Sequence, residues 1–202
     1  NIYIGTSRGD IIKSIDQGSS WRTIQRLNES IARLIVSPQD SRLIFVATAK
    51  NNIYSFNSNT VTDAADSAAI DRNFAVENWT DLGVVLKDFN LGSNFRDIVT
   101  CAADGSLFLA SEKAIVRSPD QGMTWENLKL ITPEKDAIIN AIAVNPQNSN
   151  EIYYVTNTTF FSSSDGGVTW TTKKLSTSRA GWDLLIDRSN PNIIYLGTKK
   201  LQ

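Results

Sequence analysis

Histidine is absent from the 202 residues, and cysteine and methionine occur once each. Without histidine the chain lacks the commonest general base and the commonest neutral metal ligand. Nucleophilic triads of the usual kind are excluded with it. The single cysteine, Cys101, excludes an intrachain disulfide and any Cys/His metal cluster. It is expected as a small apolar residue on a strand. Charge of either sign is not in excess: 20 Lys+Arg stand against 21 Asp+Glu, a net charge of −1. That balance gives no electrostatic reason to expect nucleic acid or an anionic membrane as partner. No apolar run approaches the ~18 residues of a membrane span. No signal peptide can be read, since the sequence opens at Asn1 inside a strand-like run, Asn1 to Thr6. A processed, trimmed or incomplete start is the expectation. No phosphate-binding glycine loop is present, and neither a cofactor nor a metal is expected. The length suffices for one domain with a sizeable core.

What is present is an octapeptide in triplicate. It reads Ser14-Ile-Asp16-Gln-Gly18-Ser-Ser20-Trp21, then Ser118-Pro-Asp120-Gln-Gly122-Met-Thr124-Trp125, then Ser163-Ser-Asp165-Gly-Gly167-Val-Thr169-Trp170. The shared pattern Ser-x-Asp-x-Gly-x-(Ser/Thr)-Trp reads as a hairpin turn. The Asp side chain can accept from backbone N–H groups one to three residues on. The Gly suits a backbone with positive φ, the hydroxyls satisfy more of the turn, and the Trp can lie under it and bury apolar surface. Each copy offers one carboxylate where calcium loops gather several, so a structural corner is expected rather than a metal site.

The repeat sets a period. Trp21, Trp79, Trp125 and Trp170 mark units near 45 residues, with about four short strands in each, as a β-propeller blade requires. The expected fold is all-β, with four-stranded antiparallel blades in which the octapeptide joins the third strand to the fourth. Blade pieces fall near 1–27, 31–85, 95–130, 139–175 and 182–202 of one propeller domain. The strand inventory is the last three strands of one blade, three full blades and the first two strands of another. It is read as an arc of about 4.5 blades from a ring of six to eight. A closed four- or five-bladed ring with a surplus strand is the other arrangement. Between Phe56 and Trp79 the octapeptide is lost to a polar insertion, Asn57 to Asn73, with one short helical turn expected around Ala64 to Ile70. Long insertions in a regular repeat are often partner-facing, which makes Asp63, Asp66, Asp71 and Arg72 candidate binding residues. A drifting loop in a degenerate blade is the plainer reading.

The octapeptide is the Asp-box, and the chain resembles the Asp-box (BNR-repeat) β-propellers. That group takes in sialidases, some xyloglucan-cleaving glycosidases, sortilin-type receptors and photosystem II assembly factors. The resemblance implies a sialidase site of three Arg, a Tyr–Glu pair and an Asp acid. Arg33, Arg96 and Arg179 are present, but nothing sets them in a triad and the family's Arg-Ile-Pro segment is missing. For a xyloglucan-type glycosidase it implies two Asp carboxylates across a cleft. Aligning the inner strands puts Arg33, Asp97, Ala141 and Asp183 at equivalent positions, so Asp97 and Asp183, two blades apart, form the best pair available. The plainer reading makes them solvated loop-end charges, or local ion-pair partners of Arg96 and Arg179. Trp182 could stack on a sugar, although packing between blades is preferred for it. By elimination and resemblance, the functional expectation is a non-catalytic interaction or scaffold module that binds a protein partner in an extracytoplasmic location, with Arg33 and Arg96 among its candidate binding residues. A carbohydrate-active enzyme or glycan-binding propeller is the competing expectation.

Overall fold

The computed structural model describes residues 1–58, 79–89, 91, 94–132 and 138–201. The chain divides into two units, Asn1–Val84 and Val85–Gln202. The first holds a three-stranded sheet, β1 (Ile2–Gly5), β2 (Asp10–Ser14) and β3 (Arg22–Arg26), and a four-stranded one. The latter comprises β4 (Ile31–Val36), β5 (Leu43–Thr48), β6 (Ile53–Asn57) and β7 (Trp79–Asp81). The second unit holds β8 (Phe95–Thr100), β9 (Leu107–Ser111), β10 (Ile115–Ser118) and β11 (Glu126–Asn127) as one sheet. A second sheet is β12 (Ala141–Asn145), β13 (Asn148–Val155), β14 (Thr159–Ser163) and β15 (Thr171–Lys174). A third is β16 (Ala180–Ile186) with β17 (Ile194–Lys199). All five are antiparallel meanders in sequence order, matching the expected inventory. A six-residue helix that the sequence reading did not anticipate, α1 (Gly83–Asp88), spans the boundary in sequence.

One strand of every sheet, β1 in the three-stranded sheet and the second strand in the other four, repeats one signature. Ile2-Tyr-Ile-Gly-Thr6, Ile44-Phe-Val-Ala-Thr48, Leu107-Phe-Leu-Ala-Ser111, Ile152-Tyr-Tyr-Val-Thr156 and Ile194-Tyr-Leu-Gly-Thr198 share an aliphatic, an aromatic and a closing hydroxyl. The strand period of two sends successive side chains to opposite faces. In the second unit, Ile152 and Tyr154 join Phe108, Ala110 and Ile115 in one buried cluster. Tyr153 and Val155, from the other face, pack with Leu184, Ile186, Ile194 and Leu196. Burial on both faces explains why these strands read as continuous apolar runs rather than alternating ones. In the first unit Ile44, Val46 and Phe56 meet Ile11 and Ile24, with Trp79 packed alongside. The closing hydroxyl holds the next turn: Thr6 Oγ1 accepts from Asp10 N (3.0 Å), Thr48 Oγ1 from Asn52 N (3.2 Å), and Thr156 Oγ1 from Thr159 N (3.2 Å).

The insertion candidates Asp63, Asp66, Asp71 and Arg72, and the helical turn expected around Ala64 to Ile70, lie outside the described residues.

Candidate functional site

In a four-stranded meander the first-to-second and third-to-fourth turns share one end of the sheet. The second-to-third turn and the start of the inner strand share the other. The three octapeptides occupy the first of these ends, at the β2–β3, β10–β11 and β14–β15 turns. Their geometry repeats closely. Ser14 Oγ donates to Asp16 Oδ1 (2.8 Å) and accepts from Gly18 N (2.8 Å). Asp16 accepts from Ser20 N (2.9 Å) and Ser20 Oγ (2.6 Å). The same bonds recur at Ser118, Asp120, Gly122 and Thr124, and at Ser163, Asp165, Gly167 and Thr169. The Asp thus reaches four residues on rather than one to three, because the Ser hydroxyl claims the nearer Gly N–H. Two residues take positive φ, Gln17 (59°) with Gly18 (93°) and Gln121 (60°) with Gly122 (99°), and in the third copy both are glycines. Trp21 and Trp125 donate Nε1–H to the Gly carbonyl of their own turn at 3.0 Å each, while Trp170 donates to Lys129 O (2.9 Å). Trp125 and Trp170 are half-buried, but Trp21 is 42% exposed, so in the first copy the indole covers the turn without being covered itself. Hydroxyl donors first, then backbone N–H groups, lower the Asp16 and Asp165 carboxyls to about 2. The polar atoms of the motif are thereby used in building the corner.

The opposite end is organised by a bulge. Phe95 pairs with Ser111 and Asp97 with Ala110, skipping Arg96. Gly181 pairs with Thr198 and Asp183 with Gly197, skipping Trp182. In the first unit Ile31 pairs with Thr48 and Arg33 with Ala47, skipping Ala32. Ahead of β12, Asn140 N donates to Val155 O (2.8 Å) beside the Ala141–Val155 pair, which gives Asn140 the same place. A bulge leaves one residue unpaired and re-aims its side chain. Here the re-aimed side chain meets the residue after the closing hydroxyl of the second strand. Arg96 Nη2 forms an ion pair with Glu112 Oε1. Asn140 Nδ2 donates to Asn157 Oδ1 (2.8 Å) and on to Gly181 O (2.7 Å) in the next sheet. Lys199 Nζ sits 3.9 Å from the centroid of the Trp182 ring. A hydrogen bond from the Asn94 side chain, and then the Arg96 charge, hold the Glu112 carboxyl below its ordinary range.

The register bears out the equivalence of Arg33, Asp97, Ala141 and Asp183, and it shows where that position faces. Asp97 shares its sheet face with Ala110, which packs toward the next sheet, and it is only 4% exposed. Its Oδ1 accepts from Ile98 N (2.9 Å). Asp183 makes the same bond with Leu184 N (3.0 Å) but is exposed. Arg96 pairs with Glu112, not Asp97. Trp182, preferred from sequence as an interblade residue, stands at the bulge of the last sheet, 39% exposed under Lys199. Arg33 and Arg179 are exposed on different units. The sequence reading missed Glu112, Asn140, Asn157 and Lys199. The signal was there, because each of Glu112, Asn157 and Lys199 follows the hydroxyl that closes the second-strand signature. Among the described residues no group of three potential metal ligands occurs, and no helix is long and apolar enough to cross a membrane.

No protein-family model and no curated protein matches the sequence. Solved structures do. The chain is similar to YCF48 bound to D1 peptide, with TM-score 0.66 and 16% identity over 98% of this chain and 58% of that one. It is similar to the GH74 enzyme of Niastella koreensis, with TM-score 0.64 and 19% identity over 96% of this chain and 33% of that one. It is also similar to the extracellular domain of the putative one component system BT4673 from B. thetaiotaomicron, with TM-score 0.63 and 16% identity, covering 97% of this chain and 25% of that one. These likenesses, with the antiparallel blades, establish a β-propeller fold. The chain spans 58% or less of the length of these three structures.

Proposed function

We propose that the chain is an Asp-box propeller segment that serves as a non-catalytic docking module for a protein partner, in an extracytoplasmic setting. The Ser–Asp–Gly–hydroxyl bonds repeated in all three turns support the Asp-box assignment, and the likeness to extracellular and peptide-bound propellers supports the rest. The observation that carries the reading is the strand-start end of the second unit. There three neighbouring sheets present Arg96–Glu112, Asn140–Asn157 and Trp182–Lys199 as pre-paired side chains on a rigid edge. Rigid scaffolds with varied tips are how repeat folds present binding surfaces.

The glycosidase reading rests on Asp97 and Asp183, which occupy one register position two blades apart. It requires both carboxylates to reach a sugar, and burial of Asp97 against the next sheet weighs against that. Photo-crosslinking in extracts of the source cells tests the choice. A photoreactive residue at Lys113 should give a discrete protein adduct, and one at Arg188, on the box end, should not. Equal adducts from both positions, or release of sugar from a polysaccharide that Asp183→Asn abolishes, would overturn the docking reading.

A further inference from the structure

The balanced composition conceals a segregation of charge within the second unit. At the strand-start end stand the cations Arg96, Lys113, Lys174, Arg179, Lys199 and Lys200. The carboxylates described there are Asp97, Glu112 and Asp183, with Asp88 beside Lys87 on the helix that leads toward β8; Asp97 is buried and Glu112 is taken by Arg96. At the box end the order is reversed. Among the described residues, Asp104, Asp120, Glu126, Glu151, Asp165 and Asp187 lie there with Arg117, Arg188 and Lys129, whose backbone carbonyl meets Trp170 beside the third corner. The first unit shows no such sorting, since Arg26 pairs with Asp10 and Lys50 with Glu29 at its own strand-start end. Lys113, Lys174, Arg179, Lys199 and Lys200 are all exposed, and none has an ion-pair partner among the described residues.

We propose that this end of the second unit binds an acidic, extended segment of a partner protein. The inference rests on the docking reading above and adds the chemistry of what docks. Charge sets the sign of the partner: exposed cations in excess of exposed carboxylates among the described residues of three adjoining sheets steer and hold carboxylates. Geometry sets its form. Packed sheets lie about 10 Å apart, so the patch from the β9–β10 turn to β17 runs about 20 Å, the reach of about six extended residues. The exposed edge of Trp182, held under Lys199, gives such a segment one apolar contact within the charged strip. The neighbouring Asn140–Asn157 bridge is already satisfied and keeps the floor fixed without adding charge.

The test is fluorescence anisotropy with a fluorescein-labelled octapeptide of alternating Glu and Asp, against a Gly-Ser octapeptide and a Lys octapeptide. The acidic peptide should bind, and its affinity should fall at least tenfold between 50 and 300 mM salt, roughly as screening of exposed charges dictates. The double variant Lys113→Glu/Lys199→Glu should lose at least tenfold in affinity, while Arg188→Glu on the box end should leave it unchanged; circular dichroism checks that each variant is folded. Equal binding of the neutral peptide, no loss in the double variant, or equal loss with Arg188→Glu would overturn the proposal. So would binding of a heparin or RNA oligomer with none of the acidic peptide. If the peptide fails while the crosslink at Lys113 persists, the docking reading stands and only the acidic chemistry falls.

Discussion

Replacing Asn140 with Asp changes one atom at the joint between two sheets. Both hydrogen bonds of this side chain are donated by Nδ2, to Asn157 Oδ1 and to Gly181 O. Asn157 can turn its amide over and become the donor. The Gly181 carbonyl cannot turn, because its strand pairs with Thr198 and its own N–H is directed to Asn157 O. The variant therefore leaves a buried carbonyl facing a carboxylate. An unmet buried acceptor costs about 1–3 kcal/mol, and about 2–4 °C of melting temperature accompanies each kcal/mol in a chain of this size. A loss of about 4–8 °C at pH 7, near the middle of that range, is the expected outcome by thermal or urea unfolding. The pH dependence gives a second readout. The introduced carboxyl is favoured in its protonated form in the folded state, since its O–H can donate to Gly181 O. Its folded pKa is therefore raised above the unfolded value of about 4. The penalty is complete above the folded pKa and fades as pH falls toward 4, whereas Asn140→Ala should show a loss that does not depend on pH. An Asn140→Asp protein within 0.5 kcal/mol of the parent, on the order of one weak hydrogen bond, would refute the reasoning. So would a loss that stays constant from pH 7 to pH 4.

Gly181→Val should cost about 1–3 kcal/mol, because a Cβ there would overlap Val155 Cγ2 and come within 3.0 Å of Thr156 O; an unchanged melting temperature would contradict this. Tyr154 is fully buried, stacked on Phe161 at 4.3 Å and edge-on to Trp170 at 4.8 Å. Tyr154→Ala should therefore cost about 3–5 kcal/mol in chemical unfolding, and a loss below about 1 kcal/mol would show that the cluster is not the core it is taken to be. Asp16 and Asp165 have folded pKa values lowered to about 2 from 3.8. The stability they lend is complete above about pH 4 and is lost as pH falls toward 2. Asp165→Asn should therefore flatten the acid-unfolding profile in that window, and an unaltered profile would count against the turn's role.

The corner motif was legible in the sequence because its chemistry is local. Ser, Asp, Gly and Ser/Thr bond to one another within seven residues, so spacing alone carries the geometry. The blade inventory was legible for a related reason, since each turn and strand announces itself by composition. The strand-start end was not legible in the same way. Its pairs join residues 16 or 17 apart, such as Arg96 with Glu112 and Asn140 with Asn157, and depend on a bulge that no local pattern marks. Lining up the inner strands found the right position for Asp97 and Asp183. It did not say that this position faces the next sheet, while the skipped neighbour, Arg96 or Trp182, is the one re-aimed. The five second-strand signatures would have supplied the missing register had they been aligned with one another.

The bulge pairs also bear on how such a surface changes over generations. One backbone frame carries the bare methyl of Ala32, an ion pair, an amide pair and a cation on an indole. Four chemistries are thus hosted by the same few backbone bonds, while the corners that hold the blades shut lie at the far end. Transplanting Arg96 with Glu112 onto positions 32 and 49 would move both members of an ion pair, whereas moving either alone strands a charge. A rim built this way can be rewritten one couple at a time without reopening the question of how the chain folds.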